Sequence, residues 1–268
     1  MRIEGAAVET AGSITSIADG LRVFWMPGCS SCARVKEFLN TLGVPYQSVN
    51  ILTDPNAECD LRDMGACGFP VVSRGREFVC AQSLDDVAKF LGREVGFDRL
   101  SPAKLMERWF YFCDIALELI DNVPQQHLHA LAITNRNRTV HDLSYHIFQV
   151  PYAFLENAEN GEEHFDKYFD DPPPDDVKTS RDVRHFGERI ADRLRSYWRI
   201  LPDRSFTWTV KTFYGVQPSH HFLERSVWHM AQHVRQLQVI LDRYNVALAG
   251  RIDESQYVDL PMPAGIWE

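Results

Sequence analysis

Short apolar runs alternate with helical apolar spacing over the first hundred residues of the chain. The runs rich in β-branched and aromatic residues predict strands, and apolar positions recurring every three to four residues predict helices. Capping and turn residues set the limits between them. The predicted elements follow the order β-α-β-α-β-β-α, with strands at 21–26, 46–51, 69–72 and 77–79 and helices at 33–42, 54–63 and 83–91.

From residue 101 onward the apolar spacing is helical almost throughout. Four long helices are predicted, at 101–120, 139–156, 180–201 and 219–244. Pro151 is expected to kink or break the second of them, because proline lacks the N–H that an inner helical turn needs. The segment 161–174 is predicted to be a loop, 206–216 a short extended link, and the chain beyond Gly250 an extended tail.

These patterns predict an α/β domain followed by an all-α domain. Four long helices with one irregular crossover indicate a four-helix up-down bundle. A length of 268 residues also favours two domains. The predicted organisation is a lead-in at 1–20, an α/β domain at 21–95, and a helical domain with its tail at 96–268.

Composition and charge narrow the function classes. The formal net charge of -9 argues against a nucleic-acid partner, which would require a basic surface. No apolar run approaches the roughly 20 residues of a membrane span. The first 20 residues lack the basic and apolar blocks of a secretory signal, and six cysteines are too few for a disulfide scaffold in a chain of this length. The expected location is the cytoplasm, with no membrane partner.

Cys29 and Cys32 form a Cys-x-x-Cys pair at the turn from the first strand to the first helix. A thiolate at a helix N-terminus faces unpaired backbone N–H groups, and this lowers its pKa. Cys29 is therefore the predicted nucleophile, and Cys32 the thiol that resolves its disulfide. A zinc site completed by Cys59, Cys67 or Cys80 is the alternative, but no second Cys-x-x-Cys exists to complete it.

Over about residues 20–95, the element order and the position of the cysteine pair resemble the glutaredoxins, which have the thioredoxin fold. The resemblance implies that Pro70 is a cis-proline facing the cysteine pair. It also implies that Phe69, Val71, Asp85 and Asp86 bind glutathione or another low-molecular-weight thiol. The chain departs from the family by having Ser30-Ser31 between the cysteines and Cys80-Ala81 before the last helix.

Two histidines lie four residues apart on the last long helix. His229 and His233 differ by about 40° around the helix axis, so they project together at the edge of its apolar stripe. On the second long helix, His146 lies near the apolar face, whereas His141 is predicted to be solvated. Three neutral imidazoles from two helices would leave an open coordination position, as in catalytic metal sites. The alternative is that these are hydrogen-bonded histidines at the edge of the core.

The placement of these histidines resembles the DinB-like helical metalloproteins over about residues 100–268. The Gln236-Leu237 pair and the proline-rich tail are part of the resemblance. It implies that His146, His229 and His233 bind a divalent metal. Zinc is the first choice and nickel or iron the alternatives, because imidazole accepts all three. Gln236 and Arg225 lie one turn from the histidine pair, and the sequence does not decide whether either orients a ligand.

The two resemblances together favour an enzyme. The first hypothesis is a metal- and thiol-dependent S-transferase or isomerase whose glutaredoxin unit performs thiol-disulfide exchange. It implies a small-molecule thiol and an electrophile or disulfide as substrates, and a homodimer is compatible with it. The second hypothesis is a plain disulfide oxidoreductase whose bundle is a substrate or partner module. The third is a non-catalytic redox or metal sensor.

Overall fold

The computed structural model describes residues 20–66, 68–246 and 252–267. They divide into two compact units, one from residues 20–99 with 263–267 and one from residues 100–262. The predicted lead-in at 1–20, apart from Gly20, and Cys67 lie outside the described residues.

A four-stranded sheet with helices forms the first unit, in the predicted element order. The strand order is β2-β1-β3-β4, with β1 and β2 parallel and the other two pairs antiparallel. The elements are β1 (Leu21–Trp25), α1 (Ser30–Thr41), β2 (Gln47–Asn50), α2 (Ala57–Met64), β3 (Val71–Arg74), β4 (Glu77–Cys80) and α3 (Leu84–Phe90).

Apolar side chains pack on both faces of this sheet. Successive side chains along a strand point to opposite faces, so one strand contributes to both clusters. Val23 packs in one apolar cluster with Val35 and Phe38 of α1 and Val87 of α3. The next residue, Phe24, belongs to a second cluster with Ala57 at the start of α2. The central strand therefore holds α1 and its cysteines at a fixed position against the sheet.

Four long helices dominate the second unit. Both α4 and α5 pack against α7 and α8. The elements are α4 (Pro102–Asp121), α5 (Val140–Asn160), α6 (Lys167–Asp170), α7 (Ser180–Ile200), β5 (Thr209–Thr212), β6 (Gly215–Pro218) and α8 (Ser219–Arg243), with 3-10 turns at Gln125–His127 and Glu254–Tyr257.

Side-chain caps begin α4 and α5 where the sequence predicts. The Ser101 hydroxyl accepts from the Lys104 backbone N–H at the start of α4. Thr139 and Asp142 form a reciprocal capping box at the start of α5. Each such cap satisfies N–H groups that the first helical turn leaves without partners.

One local prediction is wrong and two are refined. The predicted loop at 161–174 contains the short helix α6. The extended link predicted at 206–216 contains the strand β5 and the start of β6, and α5 continues from Val140 to Asn160 without a break at Pro151. In α5 the neighbours Val150 and Phe154 are buried, so tertiary packing outweighs the hydrogen bond that proline removes.

None of the described helices is both long and apolar enough to cross a membrane.

Candidate dithiol and metal sites

The structure joins Cys29 and Cys32 in a disulfide at the start of α1. Cys29 is the N-cap residue, and its Sγ accepts from the Cys32 backbone N–H at 3.2 Å. The first turn of α1 contains no acidic side chain. Backbone N–H groups therefore face Cys29 without an opposing carboxylate on that turn, which favours the thiolate after reduction.

The two cysteines differ in accessibility. Cys32 is fully buried, whereas Cys29 is partly exposed. An attacking sulfur has to be reached by its substrate, and a resolving sulfur has only to reach its neighbour. This difference agrees with Cys29 as the predicted nucleophile and Cys32 as the predicted resolving thiol.

Gln82 connects the cysteine helix to the predicted thiol-binding loop. Its Oε1 accepts from the Ser31 hydroxyl at 2.8 Å, and its Nε2 donates to the Phe69 carbonyl at 2.8 Å. The Phe69–Pro70 peptide bond is cis, as the glutaredoxin resemblance implies. Gln82 is 7% exposed and was missed by sequence reasoning, because a single polar residue before a capping serine carries no distinctive signal.

The other predicted thiol-binding residues have structural partners. Val71 is buried and pairs with Cys80 in the sheet. The Asp86 backbone N–H donates to the Ser83 hydroxyl that caps α3. The Asp85 carboxylate forms an ion pair with Arg99 at 2.5 Å. A thiol bound at α3 would therefore meet a neutralised aspartate rather than an isolated anion.

His146, His229 and His233 come together in the second unit, on α5 and α8. Their exposures are 4%, 7% and 1%. The Nε2 atoms of His229 and His233 are 3.1 Å apart, and one ligand nitrogen from each of the three histidines lies within 4.8 Å of the others. In a tetrahedral zinc site, Zn–N bonds of about 2.1 Å place ligand nitrogens about 3.4 Å apart. The set is of the right size and chemistry for one divalent metal.

Two glutamines orient two of these rings. The Nδ1 atom of His146 lies 3.2 Å from Gln149 Oε1, and that of His233 lies 2.7 Å from Gln236 Oε1. Gln149 Nε2 donates to the Asp171 carbonyl at 2.8 Å, so its oxygen is the atom that faces His146. Because a carbonyl oxygen only accepts, each Nδ1 carries the proton and each Nε2 keeps its lone pair for a metal.

Burial keeps all three imidazoles neutral. It lowers the pKa of His146 and of His229 well below the usual value, and that of His233 to about 3. The positive charge of Arg138 lowers the pKa of each ring further. Neutral imidazole is the form that binds metal, so the site requires no deprotonation at neutral pH.

Phe169 of α6 closes one side of the site. Its ring packs edge-on against His146 at 5.6 Å and against His229 at 5.5 Å, measured between ring centroids. This wall could not be predicted from the sequence pattern, because α6 lies in the segment that was predicted to be a loop. Phe169 thus covers the His146 and His229 rings on the side of α6.

His141 is buried at 7% exposure, so its predicted solvation is wrong. Its ring packs edge-on against His129 at 5.5 Å, outside the group of three. Backbone contacts explain the burial, since the His141 N–H donates to the Leu128 carbonyl and draws the preceding loop over this end of α5.

Comparison with known proteins identifies one part of the chain. No curated protein and no solved structure matches it. The glutaredoxin family model matches residues 21–79, which hold both cysteines, the cis-proline and all four strands apart from Cys80. Residues 21–79 are thus a glutaredoxin family domain carrying the Cys29–Cys32 disulfide, and they are followed by a helical region.

Proposed function

We propose that the chain is a thiol enzyme with two centres. The Cys29–Cys32 pair exchanges disulfides with glutathione or another small thiol. The three histidines hold a divalent metal, with zinc preferred, for an S-transferase or isomerase reaction on an electrophile. In this proposal α4, α5, α7 and α8 are a DinB-like four-helix up-down bundle.

The glutaredoxin match supports the exchange reaction, since members of that family use glutathione. Reduced Cys29 attacks a mixed disulfide, so that one S–S bond forms as another breaks and a thiolate leaves. Cys32 then attacks the Cys29 sulfur, releases the second thiol and restores the intramolecular disulfide. Phe69, Pro70 and Val71, together with the first turn of α3 at Asp85 and Asp86, are the proposed contacts to the small thiol.

The observation that carries the metal proposal is the convergence of three buried histidines, two of them oriented by glutamine. A histidine that merely fills the edge of a core has no need of two like neighbours whose ring nitrogens lie within 4.8 Å of its own. When bound there, a divalent metal would lower the pKa of a small thiol and supply a thiolate at neutral pH. The chain contributes the orientation of two rings and the wall at Phe169.

Metal content and conjugation activity test the second centre. Purified wild type should carry about one zinc equivalent and conjugate glutathione to a neutral electrophile such as 1-chloro-2,4-dinitrobenzene. His229→Ala should lose both, because three-ligand sites bind metal weakly once a ligand is removed. His164→Ala is the matched control, since this histidine is exposed and lies outside the group. Equal metal content and rates in wild type and His229→Ala would reject the transferase proposal.

The same variants separate the two centres. Cys29→Ser should abolish reduction of a glutathione mixed disulfide and leave the zinc content unchanged. His229→Ala should leave that reductase activity intact. If only the reductase activity is found, the chain is a plain disulfide oxidoreductase whose helical region is a substrate or partner module.

A further inference from the structure

Gln82 lies where three parts of the first compact unit meet. Its Oε1 accepts from the hydroxyl of Ser31, between the two cysteines, at 2.8 Å. Its Nε2 donates to the carbonyl of Phe69, directly before the cis-proline, at 2.8 Å. The residue that follows it, Ser83, caps α3. One side chain therefore joins the cysteine turn to the loop at Pro70, beside the start of α3.

The side chain of Gln82 continues the pairing of β3 with β4 beyond the end of both strands. The contacts run in antiparallel order and join Val71 to Cys80, Pro70 to Ala81, and Phe69 to Gln82. The second contact is a hydrogen bond of 2.8 Å from a backbone N–H to a backbone carbonyl. The third uses the side-chain amide of Gln82 in place of a backbone N–H. This amide thus fixes the loop at the point where the backbone ladder stops.

Both ends of the Gln82 amide have the partner that they require. The Phe69 carbonyl only accepts, so the amide nitrogen faces it and the amide oxygen is left for the Ser31 hydroxyl. Ser31 is 5% exposed and Gln82 is 7% exposed. Hydrogen bonds shielded from water in this way are costly to leave unmade. The bridge therefore holds the loop at one distance from the cysteine turn.

The two serines between the cysteines differ in this respect. Ser30 is 3% exposed, but its hydroxyl oxygen has no hydrogen-bond partner among the residues that the structure describes. Ser31 is tied to Gln82. One serine of the turn thus belongs to the bridge and its neighbour does not, so the chain itself offers a matched pair of positions.

We propose that Gln82 is a positioning residue for thiol-disulfide exchange. It holds the backbone of Phe69, Pro70 and Val71 at the spacing from Cys29 that a thiol carrying peptide amides, such as glutathione, needs for its own hydrogen bonds. A thiol without amides, such as 2-mercaptoethanol, gains nothing from the bridge. Gln82 acts through the loop and not on the sulfur atoms. This inference rests on the proposed exchange function and names the residue that favours a peptide-like thiol.

The first test measures mixed-disulfide equilibria in the full-length chain with Cys32→Ser, which prevents resolution. The Cys29 thiolate attacks oxidised glutathione, so that a Cys29–glutathione S–S bond forms, the S–S bond of the reagent breaks and a glutathione thiolate leaves. Mass spectrometry over a series of thiol-to-disulfide ratios gives the equilibrium constant. Adding Gln82→Met should lower this constant about tenfold, because hydrogen bonds between the loop and glutathione are lost. The constant measured with bis(2-hydroxyethyl) disulfide should stay unchanged.

The serine variants test whether the bridge is the cause. Ser31→Ala should lower the glutathione constant in the same direction, and S31A/Q82M should be no worse than Gln82→Met alone, because both substitutions break one bridge. Ser30→Ala is the matched control and should change neither constant. Ser31→Ala removes a single oxygen atom, so it decides the matter even if Gln82→Met does not fold. Additive losses, an equal fall for both thiols, an equal effect of Ser30→Ala or no fall at all would each overturn the inference.

The second test needs no sulfur chemistry. Amide hydrogen exchange of the oxidised full-length chain should be about tenfold faster over residues 68–71 in Gln82→Met than in wild type, and unchanged over α8. Unchanged exchange at the loop would show that Gln82 does not hold it. If the Cys32→Ser protein forms no mixed disulfide with glutathione, the proposed exchange function fails instead, and hydrogen exchange still decides whether Gln82 positions the loop.

Discussion

A glutamine follows two of the three clustered histidines at the same spacing. Gln149 lies three residues after His146, and Gln236 three residues after His233. Both pairs therefore lie on one face of their helix, where side chains three apart meet. The third histidine, His229, has no described partner for its Nδ1 atom. The orientation of the centre thus depends mainly on two amide side chains.

Gln236 offers a direct test of that orientation. Gln236→Leu should weaken zinc binding about 10- to 100-fold, because losing the outer hydrogen bond frees the ring to rotate and to change its tautomer. Gln236→Glu keeps an acceptor oxygen and should retain affinity close to wild type. Zinc dissociation constants from chelator competition measure both. A Gln236→Leu protein that binds zinc as tightly as Gln236→Glu would show that the bond has no role in metal binding.

The three candidate ligands could be predicted from sequence because helical spacing alone determines which side chains project together. His229 and His233 needed only the four-residue interval, and His146 only its angle to an apolar stripe. The contact of Gln149 with His146 follows the same kind of interval and is also encoded locally. Phe169 could not be predicted in this way, because its role depends on contacts of α6 with α5 and α8 that no local pattern encodes.

At the scale of elements, the long helices were predicted best and the short connections worst. Helix α4 begins at Pro102 and α5 at Val140, each beside its predicted cap. Caps are local signals, so one sequence contains them. Helix α6 and the β5–β6 hairpin are four-residue elements held by neighbours from distant parts of the chain, such as the Asn157 side chain, which donates to the Lys211 carbonyl. Local apolar spacing carries no information about such contacts.

Gly187 sets how closely α7 approaches α5. A Cβ atom there would lie 2.5 Å from Cε2 of Phe148, which is fully buried. Gly187→Ala should therefore destabilise the protein by about 1–2 kcal/mol, because overpacking costs more than the roughly 1 kcal/mol that alanine gains in helix propensity. Urea unfolding followed by circular dichroism measures the change. In a Phe148→Leu background the same substitution should cost less, and a stabilised Gly187→Ala single variant would contradict the close approach.

At the scale of the whole molecule, the residues that the structure describes hold one candidate centre in each compact unit. The division near residue 100 follows the change from strand-like to helical spacing, which is visible in the sequence. The two centres differ in how they respond to conditions. In the proposed function the dithiol would respond to redox poise, whereas the histidine centre would respond to metal supply and to protons.

Acid should destabilise the metal-free protein through the histidine centre. The pKa of all three histidines is lower in the folded state than the ordinary value of 6.5, and that of His233 is about 3. Below pH 6.5 the unfolded chain therefore binds more protons at these histidines than the folded one does. The free energy of unfolding should decrease as the pH is lowered from about 6.5, and the contribution of His233 extends down to about pH 3. Above pH 6.5 these groups contribute no pH dependence.

The free energy of urea unfolding at pH 7.5 and 5.5, in the presence of a chelator, measures this effect. Wild type should lose more stability between the two pH values than His233→Phe, which replaces the titrating ring by one that stays neutral. Comparing the two proteins removes the contribution of the carboxylates, which both share. Zinc at pH 7.5 should stabilise wild type in proportion to the logarithm of its free concentration, because it binds the folded state alone. An identical pH dependence in the two proteins would mean that His233 is not buried in neutral form, and the metal proposal would lose its electrostatic support.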